Sequence, residues 1–179
     1  MAYTQHYFTA DTHFGHSKML DFRPFVSTDE MDQFIINAWN SVVRPHDVVW
    51  HLGDFSCHDV ARTKQIFDRL PGRKRLILGN HDLHHGEIRK SLCDLAWDQT
   101  PTHYAEVKQG GERVILHHYA MRTWAASVHG SWHLYGHSHG RLPAYGRSRD
   151  CGVDCYDISY APQTFQQLTA GMREAEVVS

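Results

Sequence analysis

The chain has 179 residues, of which 41% are hydrophobic and 21% charged, a composition typical of a soluble globular protein. That length favours one domain over residues 1–179, with one sizeable buried core. The formal net charge of -2 gives no global electrostatic reason for nucleic-acid binding, so a nucleic-acid partner is possible but not favoured.

Targeting signals and cysteine patterns are lacking in the sequence. No apolar run approaches the roughly 18 residues that a transmembrane helix needs, so we expect no membrane contact. The first six residues lack the basic and apolar stretches of a signal peptide, and the expected location is the cytoplasm. The four cysteines form no CxxC pair, which indicates reduced, partly buried thiols.

The first half of the chain alternates predicted strands and helices. Residues 3–10 are rich in Tyr, Thr and Phe, which predicts a strand that leads into Asp11. Residues 27–30 read Ser-Thr-Asp-Glu, a capping-box pattern, and apolar residues at helical spacing then predict a helix over about 28–43. The other predicted elements here are a strand over 48–52, a helix from Val60 to Pro71, a strand over 75–78 and a short helix over about 87–92.

The second half is richer in predicted strands. Residues 102–108 and 112–118 flank Gln109-Gly110-Gly111, which predicts a hairpin. Further strands are predicted over 132–135 and 152–154, and a terminal helical turn over 162–168. Helices and strands that alternate first, followed by hairpin-like strands, favour an α/β sandwich with mixed sheets.

Five short clusters of potential metal ligands each follow a predicted strand. They are Asp11-Thr12-His13, Gly53-Asp54, Gly79-Asn80-His81-Asp82, His117-His118 and Gly136-His137-Ser138-His139. Groups at the carboxyl ends of strands are where open α/β sheets carry their sites. Residues two apart in extended chain project to the same side, and a carboxylate such as Asp54 can bridge two ions. Mixed Asp, Asn and His ligands indicate two divalent ions of Mn, Fe or Zn, since Mg and Ca prefer all-oxygen sites.

The clusters, in this order over residues 11–139, resemble those of the calcineurin-like metallophosphoesterases. Residues 152–154 also look like the closing strand of the small single-domain bacterial and phage members. The resemblance implies an αββα sandwich, in which two mixed β-sheets are flanked by helices. It also implies a dinuclear metal centre and hydrolysis of a phosphate ester.

The resemblance further implies a role for each residue of the clusters. One ion would be held by Asp11, His13, Asp54 and His139, and the other by Asp54, Asn80, His118 and His137. His81 would protonate the leaving oxygen or stabilise charge on the phosphoryl group, and Asp82 would orient or polarise His81. The nucleophile would be a metal-bridging hydroxide that attacks in line.

The choice between His117 and His118 stays open in the sequence. Only one of two neighbours on a regular strand faces the metals. The family commonly has a ligand His, any residue and then Pro; His118-Tyr119-Ala120 fits this pattern better, with Ala in place of Pro, so we favour His118.

Three residues outside the clusters are candidates for substrate binding. His16 follows the first cluster closely enough to reach the mouth of the site. Arg23 and Arg122 could bind phosphate oxygens through paired N–H groups, although surface arginines are also ordinary.

The leading hypothesis is a metal-dependent phosphoric ester hydrolase that acts on a small phosphate ester. A compact chain without an obvious lid slightly favours phosphodiesters, including cyclic or other nucleotides, over phosphomonoesters. One alternative is a non-catalytic scaffold of the same fold that binds a protein partner, and another is a nuclease. The sequence does not determine the natural substrate, the physiological metals or the oligomeric state.

Overall fold

The computed structural model of the chain describes residues 4–143 and 145–172. Residues 1–3, which include the start of the strand predicted over 3–10, lie outside the described residues. No helix in the described ranges combines the length and the apolar character needed to cross a membrane.

In the described residues, ten strands form two four-stranded sheets and one two-stranded hairpin. In chain order they are β1 (His6–Thr9), β2 (Val48–His51), β3 (Arg73–Leu76), β4 (Leu83–His84), β5 (Glu87–Ile88), β6 (Tyr104–Gln109), β7 (Glu112–His117), β8 (Trp132–Tyr135), β9 (Ser148–Asp150) and β10 (Gln163–Thr164). The first sheet has the order β10-β1-β2-β3, and the second has the order β6-β7-β8-β9. Strands β1, β2 and β3 are parallel, as are β7, β8 and β9, while β10 and β6 pair antiparallel at the edges. Both large sheets are therefore mixed.

The helices are α1 (Thr28–Val42), α2 (Val60–Arg69), α3 (Lys90–Cys93) and α4 (Phe165–Leu168), with 3-10 turns at Ser17–Asp21 and Ser127–His129. Helix α1 begins where the sequence predicts, because the Ser27 hydroxyl accepts a hydrogen bond from the Glu30 N–H at 3.2 Å. The Glu30 carboxylate accepts from the Val26 N–H at 2.8 Å, so it satisfies a backbone donor one residue before the cap.

Two buried apolar layers account for the order of the sheets and helices. One lies between the two sheets, where Trp50 of the first sheet shares a cluster with Val114 and Leu134 of the second. The other lies between the first sheet and helix α1, where Val49 packs in the same cluster as Trp39. Neighbouring residues of β2 point to opposite faces, as strand geometry requires. The predicted fold class is confirmed: an α/β protein with two mixed sheets flanked by helices.

Several predicted element boundaries are wrong. The helix predicted over 87–92 is instead strand β5 followed by the single turn α3. The strand predicted over 152–154 lies earlier, at β9, and Gly152 makes only one parallel bridge, to Ala10. The strand predicted over 75–78 begins and ends two residues earlier, as β3.

Candidate metal centre

All seven predicted metal ligands lie just beyond the carboxyl ends of parallel strands. They follow β1 (Asp11 and His13), β2 (Asp54), β3 (Asn80), β7 (His118) and β8 (His137 and His139). Backbone hydrogen bonds draw the loops together. The Asp11 N–H donates to the Gly53 carbonyl at 2.9 Å, and the His137 N–H of the second sheet donates to the Asp11 carboxylate at 2.9 Å. The two sheets thus present their ligands at one shared edge.

The ligands form two neighbouring groups, and one carboxylate lies between them. The ligand atoms of Asp11, His13 and His139 lie within 4.8 Å of one another, and those of Asp54, His118 and His137 do the same. Asp54 Oδ2 is 3.5 Å from His13 Nε2 and 3.5 Å from His118 Nε2, so this carboxylate lies between the groups. Asn80 Oδ1 is 3.0 Å from His118 Nε2 and extends the second group.

Of the two neighbouring histidines, the structure brings His118 to the cluster. His118 is fully buried, and its Nδ1 is 2.7 Å from the Leu52 carbonyl, which leaves Nε2 facing Asn80. His117 is only half-buried, and its ring contacts the backbone of Tyr119 instead. The alternation of side chains along β7 explains why only one of the pair can reach the site.

Burial and charge at this edge favour a bound cation. Burial, together with the neighbouring carboxylates of Asp54 and Asp150, raises the pKa of Asp11 well above its usual range. Burial lowers the pKa of His13 to about 2, so its imidazole stays neutral with a lone pair available, and its Nδ1 is buried without a hydrogen-bond partner. Burial raises the pKa of Asp54, but the hydrogen bond to His118 and the nearby imidazoles of His118 and His13 lower it by more, to about 2. Buried carboxylates beside imidazole nitrogens are the ligand set that a divalent metal compensates.

The ligands also carry strained backbone, a signal that the sequence does not contain. Five of them have positive φ: Asp11 (58°), His13 (48°), Asp54 (61°), His137 (67°) and His139 (50°). A left-handed conformation costs an L-residue about 1–2 kcal/mol. Such strain concentrates at functional sites, where the surrounding structure enforces it.

Glycines allow the strand ends to approach so closely. Gly53 has a φ of 101°, and a Cβ at this position would collide with the His118 ring. A Cβ on Gly79 would overlap the Asp54 carboxylate. Both glycines therefore make room for the ligands of the second group.

The prediction that Asp82 polarises His81 is wrong. Both Asp82 oxygens accept backbone hydrogen bonds, Oδ2 from Asp54 at 2.8 Å and Gly79 at 2.9 Å, and Oδ1 from Phe55 at 2.9 Å. The side chain points inward and is fully buried, which raises its pKa to about 6. Asp82 therefore holds the loops after β2 and β3 together and does not bond to the ring of its neighbour.

His81 lies at the mouth of the site, next to the first ligand group. Its ring centroid is 5.0 Å from that of His13 and 5.3 Å from that of His16. Its backbone is fixed on both sides, since its N–H donates to Asp54 Oδ1 at 2.8 Å and its carbonyl accepts from Arg89 Nε at 2.6 Å. His16 thus lies at the mouth of the site, and its predicted contact with substrate stays a prediction.

Arg23 is not a substrate-binding residue, which corrects a second prediction. It is only 3% exposed. Its guanidinium donates to both oxygens of Asp154 at 2.7 and 2.8 Å, and to the carbonyls of Thr12 at 2.9 Å and Asp11 at 2.6 Å. The guanidinium N–H groups that could bind a phosphate already donate hydrogen bonds within the protein.

Asp154 contacts two residues of the site, and the sequence analysis does not single it out. One of its oxygens lies 2.7 Å from His139 Nδ1. Burial would raise the pKa of this carboxyl, but His139 and Arg23 hold it at about 2, so Asp154 is the acceptor and His139 Nδ1 the donor. That tautomer leaves His139 Nε2 free to bind a metal.

A cavity of about 790 Å³ opens beside the centre. It is lined by His16, Lys18, Met19, Asp21, Phe22, His81, His139, Arg141, Asp154 and Tyr160. Phe22 is 64% exposed, and the Arg141 guanidinium lies 4.8 Å from its ring centroid. Arg122 is exposed and lines a separate depression with Met121 and Tyr145, so its predicted contact with substrate stays a prediction.

Comparison with known proteins identifies relatives of this chain in a phage and in an archaeon. No protein-family model matches it. The gene 66 protein of Mycobacterium phage D29 is 33% identical over 161 residues, which cover 76% of this chain and 79% of the phage protein. The chain belongs to the gene 66 protein family. An uncharacterized protein of Methanocaldococcus jannaschii is 26% identical, over 96% of this chain and 93% of its own length.

One solved structure shares the fold of this gene 66 family member. A protein of unknown function from Aquifex aeolicus superposes with a TM-score of 0.70 at 24% identity, covering 92% of this chain and 97% of that chain. The phosphoesterase YfcE from E. coli superposes more weakly, with a TM-score of 0.44 at 13% identity over 84% of this chain and 79% of its own. The five ordered motifs are brought together at one edge of two mixed sheets.

Proposed function

We propose that this gene 66 family protein is a two-metal phosphoester hydrolase that prefers phosphodiesters. One observation carries the proposal: the Asp54 carboxylate lies 3.5 Å from a histidine of each ligand group, with His81 at the open side. A shared carboxylate between two buried ligand groups is the arrangement that supports a pair of neighbouring ions.

The chain supplies a complete set of ligands for both ions. Asp11, His13, Asp54 and His139 would hold one ion, and Asp54, Asn80, His118 and His137 the other. Imidazole, carboxylate and amide ligands together suit Mn, Fe or Zn. When bound, such ions polarise phosphoryl oxygens and lower the pKa of water.

His81 is placed to act on the ester itself. It borders the same cavity as His139, and its backbone is fixed by Asp54 and Arg89. From this position the ring can donate a proton to the leaving oxygen or stabilise negative charge on the phosphoryl group. Because Asp82 is committed to the backbone, the ring keeps its freedom to turn toward the substrate.

The size of the cavity supports the preference for diesters. A volume of about 790 Å³ lies within the usual range for small-molecule sites and exceeds what a bare phosphate fills. Lys18 and Arg141 place two cationic side chains on its lining, while Phe22 and Tyr160 add aromatic surface. Such a lining suits an anionic ester with organic groups on both sides of the phosphorus.

The test begins with metal-free protein. Calorimetric titration with Mn²⁺ should show two ions per chain, and the loaded protein should hydrolyse bis-p-nitrophenyl phosphate faster than p-nitrophenyl phosphate. His81→Ala should keep both ions and lose about 10²–10⁴ in turnover. The matched control is His117→Ala, a histidine outside both ligand groups, which should behave like the wild type.

Three outcomes would count against the proposal. Protein that binds no metal would remove its basis. Protein that binds both ions but hydrolyses no ester would indicate a non-catalytic scaffold. Cleavage of DNA or RNA that falls steeply with added salt would indicate a nuclease, since nucleic-acid binding is salt-dependent.

A further inference from the structure

A third group of ligand-type side chains lies at the mouth of the cleft. The ligand atoms of His13, His16, Cys57 and His81 all lie within 4.8 Å of one another. His13 belongs to the catalytic centre, where its Nε2 faces Asp54 at 3.5 Å. The other three residues are not among the seven ligands of the two catalytic ions. They come from three separate loops, so their proximity results from the fold and not from sequence adjacency.

We propose that His16, Cys57 and His81 form a separate zinc-binding site, and that a zinc ion bound there inhibits the enzyme. The site itself is independent of the proposed hydrolase function, and only its inhibitory effect rests on that function. It differs from the two catalytic groups in its chemistry, because it contains a thiol and no carboxylate.

The three loops are held in place by the backbone. The His16 N–H donates to the His13 carbonyl at 3.0 Å, at the start of the 3-10 turn. The Cys57 N–H donates to the Phe14 carbonyl at 2.8 Å, which ties the loop after β2 to the loop after β1. His81 is fixed through its own N–H and carbonyl. The side chains therefore need only rotamer adjustment to close on an ion.

The ligand types select zinc over the oxygen-preferring cations. Sulfur and imidazole ligands are typical of Zn²⁺, which binds four ligands tetrahedrally, either four protein side chains or three side chains and a water. Mn²⁺ and Mg²⁺ favour carboxylates, which the two catalytic groups contain and this group lacks. All three side chains are partly exposed, so an ion can enter from the cleft and keep a water as its fourth ligand.

Occupation of this site would remove His81 from catalysis. A ring nitrogen bound to zinc can neither donate a proton to a leaving oxygen nor approach the phosphoryl group. The ion would also stand in the cavity that His16 and His81 line, where the substrate must enter. Zinc bound at this third group would thus oppose a manganese-loaded enzyme from outside both catalytic positions.

Spectroscopy tests the site without reference to activity. Co²⁺ added to manganese-loaded protein should give a thiolate-to-cobalt charge-transfer band in the near ultraviolet. Cys57→Ala should abolish this band. The matched control is Cys93→Ala, which removes an exposed cysteine outside the group and should keep the band. Cys57→Ser, which preserves the shape of the residue, serves as a second variant should the alanine variant fold poorly.

Inhibition provides the second measurement. Zn²⁺ should inhibit the manganese-loaded wild type and Cys93→Ala alike, whereas Cys57→Ala should keep basal activity and lose about tenfold or more in zinc sensitivity. Loss of a residue that hydrogen-bonds to a metal ligand already costs about 10–100-fold in metal affinity, and loss of a direct ligand should cost at least as much. No charge-transfer band in the wild type, or a band that persists in Cys57→Ala, would overturn the zinc site. A band without any ester hydrolysis would instead keep the zinc site and refute the proposed hydrolase function.

Discussion

Arg23 provides the sharpest test of how the metal centre is held together. Its guanidinium joins the two sheets: it binds the carbonyls of Asp11 and Thr12 beyond β1, and the carboxylate of Asp154 beyond β9. Asp154 in turn binds His139 Nδ1. Arg23→Met keeps an unbranched side chain in the space but removes every one of these donors, so it should weaken the fold and the metal site together.

The expected loss of stability follows from the burial of the Arg23–Asp154 ion pair. The Arg23 side chain is 1% exposed and that of Asp154 13%, so removing the arginine leaves a carboxylate buried without its cation. Breaking such a pair costs about 3–5 kcal/mol. For a chain of this length each kcal/mol lowers the melting temperature by about 2–4 °C, so metal-free Arg23→Met should melt about 6–20 °C below the wild type.

A surface arginine supplies the matched control. Arg113 pairs with Glu106 on the exposed side of the hairpin, where its side chain is 47% exposed. Exposed pairs contribute about 0.2–1 kcal/mol, so Arg113→Met should unfold almost like the wild type. Urea unfolding in the presence of a chelator is the appropriate assay, because bound ions would add their own stabilisation.

Metal affinity gives an independent readout of the same substitution. Without Arg23, Asp154 no longer has a fixed position from which to orient His139, and outer partners of this kind contribute about 10–100-fold to metal affinity. Arg23→Lys, which keeps the charge but lacks the planar fork, should recover only part of either effect. If Arg23→Met unfolds within about 1 kcal/mol of the wild type and binds Mn²⁺ equally well, the structural role of this arginine is wrong.

Three further perturbations have defined outcomes. Asp54→Asn should abolish turnover and weaken binding of both ions in calorimetry, because it removes the charge that the two groups share; two ions at wild-type affinity would contradict the bridging role. Gly79→Ala should lower metal affinity with little change in far-ultraviolet circular dichroism, since its Cβ would displace the Asp54 carboxylate; unchanged affinity would show that the strand end can relax. Burial lowers the pKa of His133 to about 4, below its usual 6.5, so the unfolded chain binds the extra proton between these values and the folded chain does not. Stability of metal-free protein should therefore fall as pH drops from about 6.5 to 4, and His133→Gln should flatten that slope in urea unfolding at each pH.

Much of the fold could be predicted because local patterns and tertiary packing agree. Helix α1 begins at its Ser27 cap, and β8 occupies the predicted residues. The ligand clusters could be predicted for a similar reason. Parallel strands bring their carboxyl ends to one edge, so motifs that follow strands converge even when they are far apart in sequence.

The residues that hold the predicted ligands in place, Arg23 and Asp154, could not be predicted, because no local sequence pattern indicates their contacts. Arg23 and Asp154 are 131 residues apart and belong to residue types that are ordinary on any surface. The prediction for Asp82 was wrong for the opposite reason. Asp82 is adjacent to His81 in sequence, and this adjacency suggested a side-chain contact that the fold does not make. The backbone donors of Gly79, Asp54 and Phe55 turn it inward instead.

The strain at the ligands connects the metal centre to the stability of the fold. Among the described residues other than glycine, nine have positive φ, and five of these are predicted ligands. At about 1–2 kcal/mol each, this strain is comparable to the whole stability of a typical domain. Part of it is offset by backbone hydrogen bonds such as those from Asp11 to Gly53 and from His13 to Asp54. Folding of these loops is further opposed by burial of the Asp11 carboxylate and by its repulsion from Asp54 and Asp150, which together raise the pKa of Asp11. Cations remove that repulsion, so metal binding and folding of these loops should be coupled. Hydrogen exchange should then show the loops after β1, β2 and β8 opening first in metal-free protein, and closing when Mn²⁺ is added, while the strands themselves stay protected throughout.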